Sequence, residues 1–182
     1  MTDRAIVRGG LERVGLASDE ATIDAICATY LAALAEEMPR SEGFRVYPGV
    51  AAVLDALRVR DGMAIGIGTG NLREGARIKL ERAGLSHHFA FGGYGCDHES
   101  RPAIVRIAAE RGAARVGLPR DACRVVVIGD TPRDVEAALA IGAETVAVET
   151  GGVAASELRA AGATWAFPDL AADGVLAALV GE

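Results

Sequence analysis

Two short segments of the 182-residue chain combine residue types suited to a phosphate and a metal ion. Gly129-Asp130-Thr131-Pro132-Arg133-Asp134 follows the apolar run RVVVI at 124–128. Asp130 and Asp134 lie four residues apart, about one helical turn, so both carboxylates can face one small volume. Paired carboxylates repel unless a cation lies between them. Hard oxygen ligands beside a phosphate suit Mg²⁺. A second reading makes them helix-start residues: Asp130 caps, Pro132 occupies the first turn and Asp134 favours the helix dipole. The second segment, Gly68-Thr69-Gly70-Asn71, follows an apolar run at 63–67. Its glycines allow close backbone approach to an anion, Thr69 adds a hydroxyl donor, and a helix N-terminus follows. Taken alone, it reads more readily as a strand-to-helix turn, with Asn71 capping and Glu74 completing a capping box.

Arg101, before Pro102 at a helix start, can hold a carboxylate or phosphate bidentately, or be a solvated side chain. Cys96-Asp97-His98-Glu99 has ligand-type residues but no partner cluster at zinc spacing, which favours a polar loop. His87 and His88 follow a helix C-terminus, where exposed imidazoles complement the dipole. Cys27 on an apolar helical face and Cys123 before a strand read as packing residues.

The elements that must position these residues alternate. Residues 3–38 read as two helices, the second capped by Ser18, carrying the stripe Ile23, Ile26, Cys27, Tyr30, Leu31 and Leu34, and stopped by Pro39. Strands are expected at 63–67, 89–93, 124–128, 145–148 and 164–167, with a helix after each of the first three and another at the C-terminus. This alternation implies a mostly parallel α/β sheet with helices on both faces. In such sheets ligands sit beyond the carboxyl ends of the strands. Thr69, Asp130 and Asp134 should therefore share one sheet edge, with Arg101 facing the same cleft.

Composition excludes several classes. Apolar residues make up 51% and charged residues 24%, which excludes wholesale disorder. Nineteen Lys and Arg against 25 Asp and Glu give a net charge of −6, which with 4% aromatics argues against nucleic-acid binding. No run is long enough to span a bilayer, no signal-peptide core opens the chain, and three cysteines without a CxxC fit a reducing compartment. The expected location is cytoplasmic.

A strand ending in GTGN, a basic residue before Pro102 and a strand ending in GDTPRD occur in that order, and Tyr47-Pro48-Gly49 precedes a helix. This arrangement resembles the haloacid dehalogenase (HAD) superfamily of phosphohydrolases, near its phosphoglycolate-phosphatase-like branch. The resemblance covers 44–168. It implies a Rossmann-like core at 44–182 and a helical cap remnant at 1–43, touching the core through a small, polar contact. It implies that Thr69 hydrogen-bonds a transferring phosphoryl group, that Asp130 ligates Mg²⁺, and that Asp134 assists directly or through water. Gly68, Gly70 and Asn71 would complete the phosphate loop. Arg101 stands nearest to the position of the family's usual Lys. The implied substrate is a small phosphorylated metabolite.

The chain contains no Asp-x-Asp. The family's nucleophile opens a DxDx[TV] motif that ends the first core strand, so the resemblance implies a core without that strand and a chain truncated at its N-terminus. Strands lie about 4.8 Å apart, so a missing strand implies a slot of roughly 9–10 Å between the strands ending near 67 and 128. The alternative expectation is a catalytically inactive binding or regulatory protein of the same fold.

Overall fold

The structure, a computed structural model, describes residues 1–182. Five short strands alternate with helices as the sequence pattern predicts. They are β1 (Gly66–Gly68), β2 (Phe91–Gly93), β3 (Val126–Gly129), β4 (Glu144–Val148) and β5 (Trp165–Phe167). The principal helices are α1 (Asp3–Arg13), α2 (Glu20–Glu37), α3 (Val50–Arg58), α4 (Arg73–Arg82), α5 (Arg101–Val116), α6 (Pro132–Leu139), α7 (Ala155–Ala160) and α8 (Val175–Val180). All strand pairings are parallel.

The strands form two separate sheets, β1-β2 and β3-β4-β5. Shared covering helices hold these side by side. Ile65, immediately before β1, and Val126 of β3 pack into the same apolar cluster as Val53 and Leu57 of α3 and Val175 and Leu179 of α8. On the other face α5 packs on β1, β2 and α6. Yet β1 and β3 do not pair, so each keeps one edge without a strand partner. The side chain of Ile128 in β3 is correspondingly 38% exposed in what would otherwise be the centre of a covered sheet. β1 and β3 are therefore both edge strands of their sheets.

β1 begins at Gly66 rather than near residue 63, because its partner β2 begins opposite it at Phe91. Residues 86–88 form a single 3₁₀ turn, so no extended chain lies opposite residue 63. α3 starts at Gly49, whose φ of 79° and contact with the Leu170 backbone leave no room for a side chain. α2 is capped by Asp19, which accepts from the Thr22 N–H, one residue beyond the expected Ser18.

α1 and α2 pack antiparallel. Arg4 pairs with Glu20 and Asp24, and Arg8 with Glu20 at 2.8 Å. Their contact with the rest of the chain is not the small polar one expected. Leu11, Ile23 and Cys27 bury Leu72 in a common cluster, and Leu31 and Leu34 lie against Gly75 of α4. The stripe on α2 exceeds what α1 can cover, so α4 covers the remainder.

Candidate active site

β3 ends at Gly129 and the chain turns directly into α6. Thr131 is the N-cap, Pro132 the first helical residue and Asp134 the third, with Thr131 and Asp134 forming a reciprocal capping box. Asp134 is buried. Its Oδ2 accepts from the Thr131 hydroxyl at 2.8 Å, the Thr131 N–H at 3.2 Å and the Asp130 N–H at 3.3 Å. Its Oδ1 accepts from Arg101 Nη2 at 2.6 Å. The helix-start reading and the shared-volume reading of these residues thus hold together, with Thr131 rather than Asp130 as the cap.

Asp130 carries the other carboxylate. Burial raises its pKa above the ordinary 3.8, and the charge of Asp134 adds to the effect. Two glycines make room for the pair. A Cβ on Gly129 would meet Asp134 Cβ at 2.3 Å, and one on Gly151 would lie 2.6 Å from the Asp130 carbonyl oxygen. Sequence reasoning missed Gly151, which is 21 residues from Asp130 and carries no motif of its own.

Asp130, Asp134 and Arg101 line a cleft of about 240 Å³ with Tyr47, Pro48 and Thr150. A larger hollow of about 530 Å³ lies at the opposite end of β3, β4 and β5. There Arg124 is already committed to Glu144 and to the carbonyls of Ala178 and Leu179. The smaller cleft holds the unneutralised carboxylate and is the better candidate.

Thr69 lies at the same sheet edge. The Arg101–Asp134 bond brings the N-termini of α5 and α6 together. α5 follows the carboxyl end of β2, α6 follows that of β3, and β1 is parallel to β2. Thr69, following β1, therefore stands on the edge where Asp130 follows β3. It does not line the cleft around Asp130.

The Gly68–Asn71 loop differs from an open anion cradle. The Thr69 N–H donates to the Gly93 carbonyl, and the Asn71 N–H donates to Thr69 Oγ1 at 3.1 Å. Asn71 does not cap α4, whose N-cap is Leu72. Instead Asp3, from the N-terminus of α1, accepts from Asn71 Nδ2 at 3.1 Å and the Leu72 N–H at 2.8 Å. The space beside Gly70 is filled by the Met1 carbonyl, 2.7 Å from where a Cβ would stand. A carboxylate of the chain itself holds donors that the sequence assigned to a phosphate. What the loop still offers is the Thr69 hydroxyl proton and the Gly70 N–H, which has no acceptor within the chain. Asp3 carried no local signal, since its partners lie 68 and 69 residues away.

The Cys96–Glu99 cluster is a polar loop, as expected. Asp97 pairs with Arg111 at 2.7 Å, which holds its carboxyl below the usual range, and Glu99 pairs with Arg8 at 2.9 Å. His98 Nδ1 accepts from the Ser100 N–H. His88, by contrast, is buried rather than exposed.

A cation fits the acidic pair. Asp130 is a partly buried carboxylate with a raised pKa beside a second carboxylate, and Asp134 Oδ1 keeps a lone pair beyond its bond to Arg101. One or two carboxylates completed by water and substrate oxygens are the usual protein contribution to a Mg²⁺ site.

Residues 5–142 match the family described as haloacid dehalogenase-like hydrolase. The phosphoglycolate phosphatase of Rhodospirillum rubrum is 33% identical over 174 residues, covering 94% of this chain and 68% of that protein. Among solved structures, a hydrolase from Pseudomonas syringae superposes with a TM-score of 0.66 at 21% identity, over 93% of this chain and 75% of its own. A HAD family hydrolase from Deinococcus radiodurans, solved with bound phosphate and sodium, gives 0.62 at 24% identity over 96% and 74%. The matched family model spans the cleft residues Arg101, Asp130 and Asp134 as well as Thr69, and the chain belongs to the haloacid dehalogenase-like hydrolases.

Proposed function

We propose that the chain supplies the metal- and phosphate-binding part of a cytoplasmic phosphatase acting on a small organic phosphate monoester. The observation carrying this reading is the junction of Asp130, Asp134 and Arg101 in one cleft at the carboxyl edge of parallel strands. Asp130 is the principal Mg²⁺ ligand. Asp134 contributes through Oδ1 or through water while its Oδ2 fixes the start of α6. Arg101 places a positive charge beside both carboxylates and the entering phosphate. The Thr69 hydroxyl donates to a phosphoryl oxygen. Bound Mg²⁺ would stabilise charge on the phosphoryl oxygens. The R. rubrum relative makes a phosphoglycolate-like monoester the first substrate to test.

In the aspartyl-phosphate route, a carboxylate attacks phosphorus, the ester P–O bond breaks and the alcohol departs. Water then hydrolyses the acyl phosphate. No Asp-x-Asp in this chain provides that carboxylate. We assign its place to the carboxyl end of a strand seated between β1 and β3, flanked by Thr69 and Asp130. Residues 1–43 act as the cap, held to the Thr69 loop by Asp3.

The test is a phosphatase assay of the 182-residue chain beside a version extended by an N-terminal segment carrying DxDx[TV], with and without Mg²⁺. Expected is Mg²⁺-dependent turnover of phosphoglycolate or another small monoester by the extended chain alone, abolished by Asp130→Asn. Turnover by the 182-residue chain, or activity indifferent to Asp130→Asn, overturns the reading. A folded extended chain that binds phosphate without turnover supports the inactive binding protein instead.

A further inference from the structure

A second cluster of ligand-type side chains lies at the opposite edge of the β1-β2 sheet. Asp55 belongs to the last turn of α3, which precedes β1, and His87 and His88 form the 3₁₀ turn that leads into β2. One ligand atom from each of the three residues falls within 4.8 Å of the other two.

His88 is the informative member. Its side chain is only 2% exposed, and its Nδ1 is buried without a hydrogen-bond partner. Its Nε2 faces Asp55 Oδ1 at 3.7 Å, too far for a hydrogen bond. A buried imidazole normally has a partner on at least one nitrogen. A His88–Asp55 ion pair would require the protonated ring. Burial opposes that charged form. The His87 ring lies beside it, centroid to centroid 3.9 Å. Asp55 is the one carboxylate facing the group, and Arg58, one turn further along α3, is the one nearby cation.

We propose that Asp55, His87 and His88 form a binding site for a divalent transition metal, with Zn²⁺ as the best fit. Two imidazole nitrogens and one carboxylate oxygen suit zinc and its neighbours, whereas Mg²⁺ and Ca²⁺ require oxygen. Ligands bound at about 2.0–2.1 Å with tetrahedral angles stand roughly 3.4 Å apart. The 3.7 Å between His88 Nε2 and Asp55 Oδ1 is close to that spacing. Three protein ligands leave the fourth position to water. The site has a structural consequence. α3 packs Val53 and Leu57 against Val146 of β4, while the His87–His88 turn feeds β2. A metal here ties α3, which packs on the β3-β4-β5 sheet, to the turn that feeds β2. This inference is independent of the proposed phosphatase reaction.

The test uses the full chain with Cys96→Ser and Cys123→Ser, which removes the accessible thiols. After chelator treatment it is titrated with Zn²⁺ against a chromophoric competitor, and with Co²⁺ followed by absorption. With the Asp130–Asp134 site disabled by Asp130→Asn, expected is one equivalent of metal per chain, a Co²⁺ spectrum without thiolate charge-transfer bands and a raised Tm. Asp55→Ala and His87→Ala alter exposed residues, and each should weaken uptake by roughly tenfold or more with unchanged circular dichroism. Absence of stoichiometric uptake, or uptake unaffected by both variants, overturns the assignment. So does a thiolate-type Co²⁺ spectrum.

Discussion

Arg101 Nη2 lies 2.6 Å from Asp134 Oδ1, and this contact joins the starts of two helices from different sheets. The partners differ in what they lose if parted. Asp134 is 7% exposed at its side chain and also accepts three bonds from residues 130 and 131, whereas Arg101 is 37% exposed. Asp134→Ala should therefore destabilise the protein by about 3 kcal/mol, combining a lost cap with a broken, largely buried ion pair. Arg101→Ala should cost about 1 kcal/mol or less, because water screens its side of the pair. Urea unfolding of both single variants and the double variant checks this. Equal losses from the two would mean that Asp134 serves only the ion pair.

Asp130 sets a pH dependence of definite sign. Its folded pKa is raised, so above pH 3.8 the folded state holds its proton more strongly than the unfolded state does. The corresponding stability is complete at low pH and is lost as pH rises through the raised value. Carboxyls held below their usual range, such as Asp97 beside Arg111, act oppositely, so the whole-protein curve mixes both signs. The difference between wild type and Asp130→Asn isolates the one group. In chelator, Asp130→Asn should raise Tm at pH 7 and leave it unchanged near pH 3. Mg²⁺ should raise the Tm of wild type and not of the variant. A variant less stable than wild type at pH 7 in chelator would contradict this account.

The parts of this site that were legible in the sequence are those whose partners lie within a few residues. GDTPRD contains its own capping box, and the run before it is the strongest strand signal in the chain. The alternation of such runs with helical stripes also set the parallel topology and the shared edge of Thr69 and Asp130. Contacts over long separations were not legible. Close approach holds at Gly70 and not at Gly68, and what approaches Gly70 is the N-terminal segment, which no local pattern announces. His87 is exposed as expected, but His88 is buried, and a 3₁₀ turn has no periodicity to show which side that is. α7 escaped notice because six residues with one buried side chain, Leu158, make no stripe.

Asp3 offers a measurable link between α1 and the loop that carries Thr69. Its carboxylate takes one side-chain and one backbone donor in a partly buried setting. Asp3→Ala should cost about 1–2 kcal/mol and leave the Leu72 amide without its acceptor. Hydrogen exchange at Leu72 should then accelerate more than exchange within α6, which shares no contact with Asp3. Equal acceleration at both places would indicate general destabilisation rather than local release.

The open edges of β1 and β3 make the sharpest expectation. β4 is paired on both sides, with β3 and with β5, whereas β1 and β3 are each paired on one side only. In a strand, successive backbone N–H groups point to opposite edges, so about half the amides of Gly66–Gly68 and Val126–Gly129 face the slot. Lacking a strand acceptor there, they should exchange orders of magnitude faster than amides of Thr145–Val148, although helices cover both faces. Unpaired edges also template intermolecular pairing, so the 182-residue chain should aggregate readily and melt below about 60 °C. Extending the chain by a strand-forming segment should protect the slot-facing amides and raise Tm together. Uniform protection across β3 and β4 in the unextended chain would mean that the two sheets close upon each other in solution, and that no strand is needed between them.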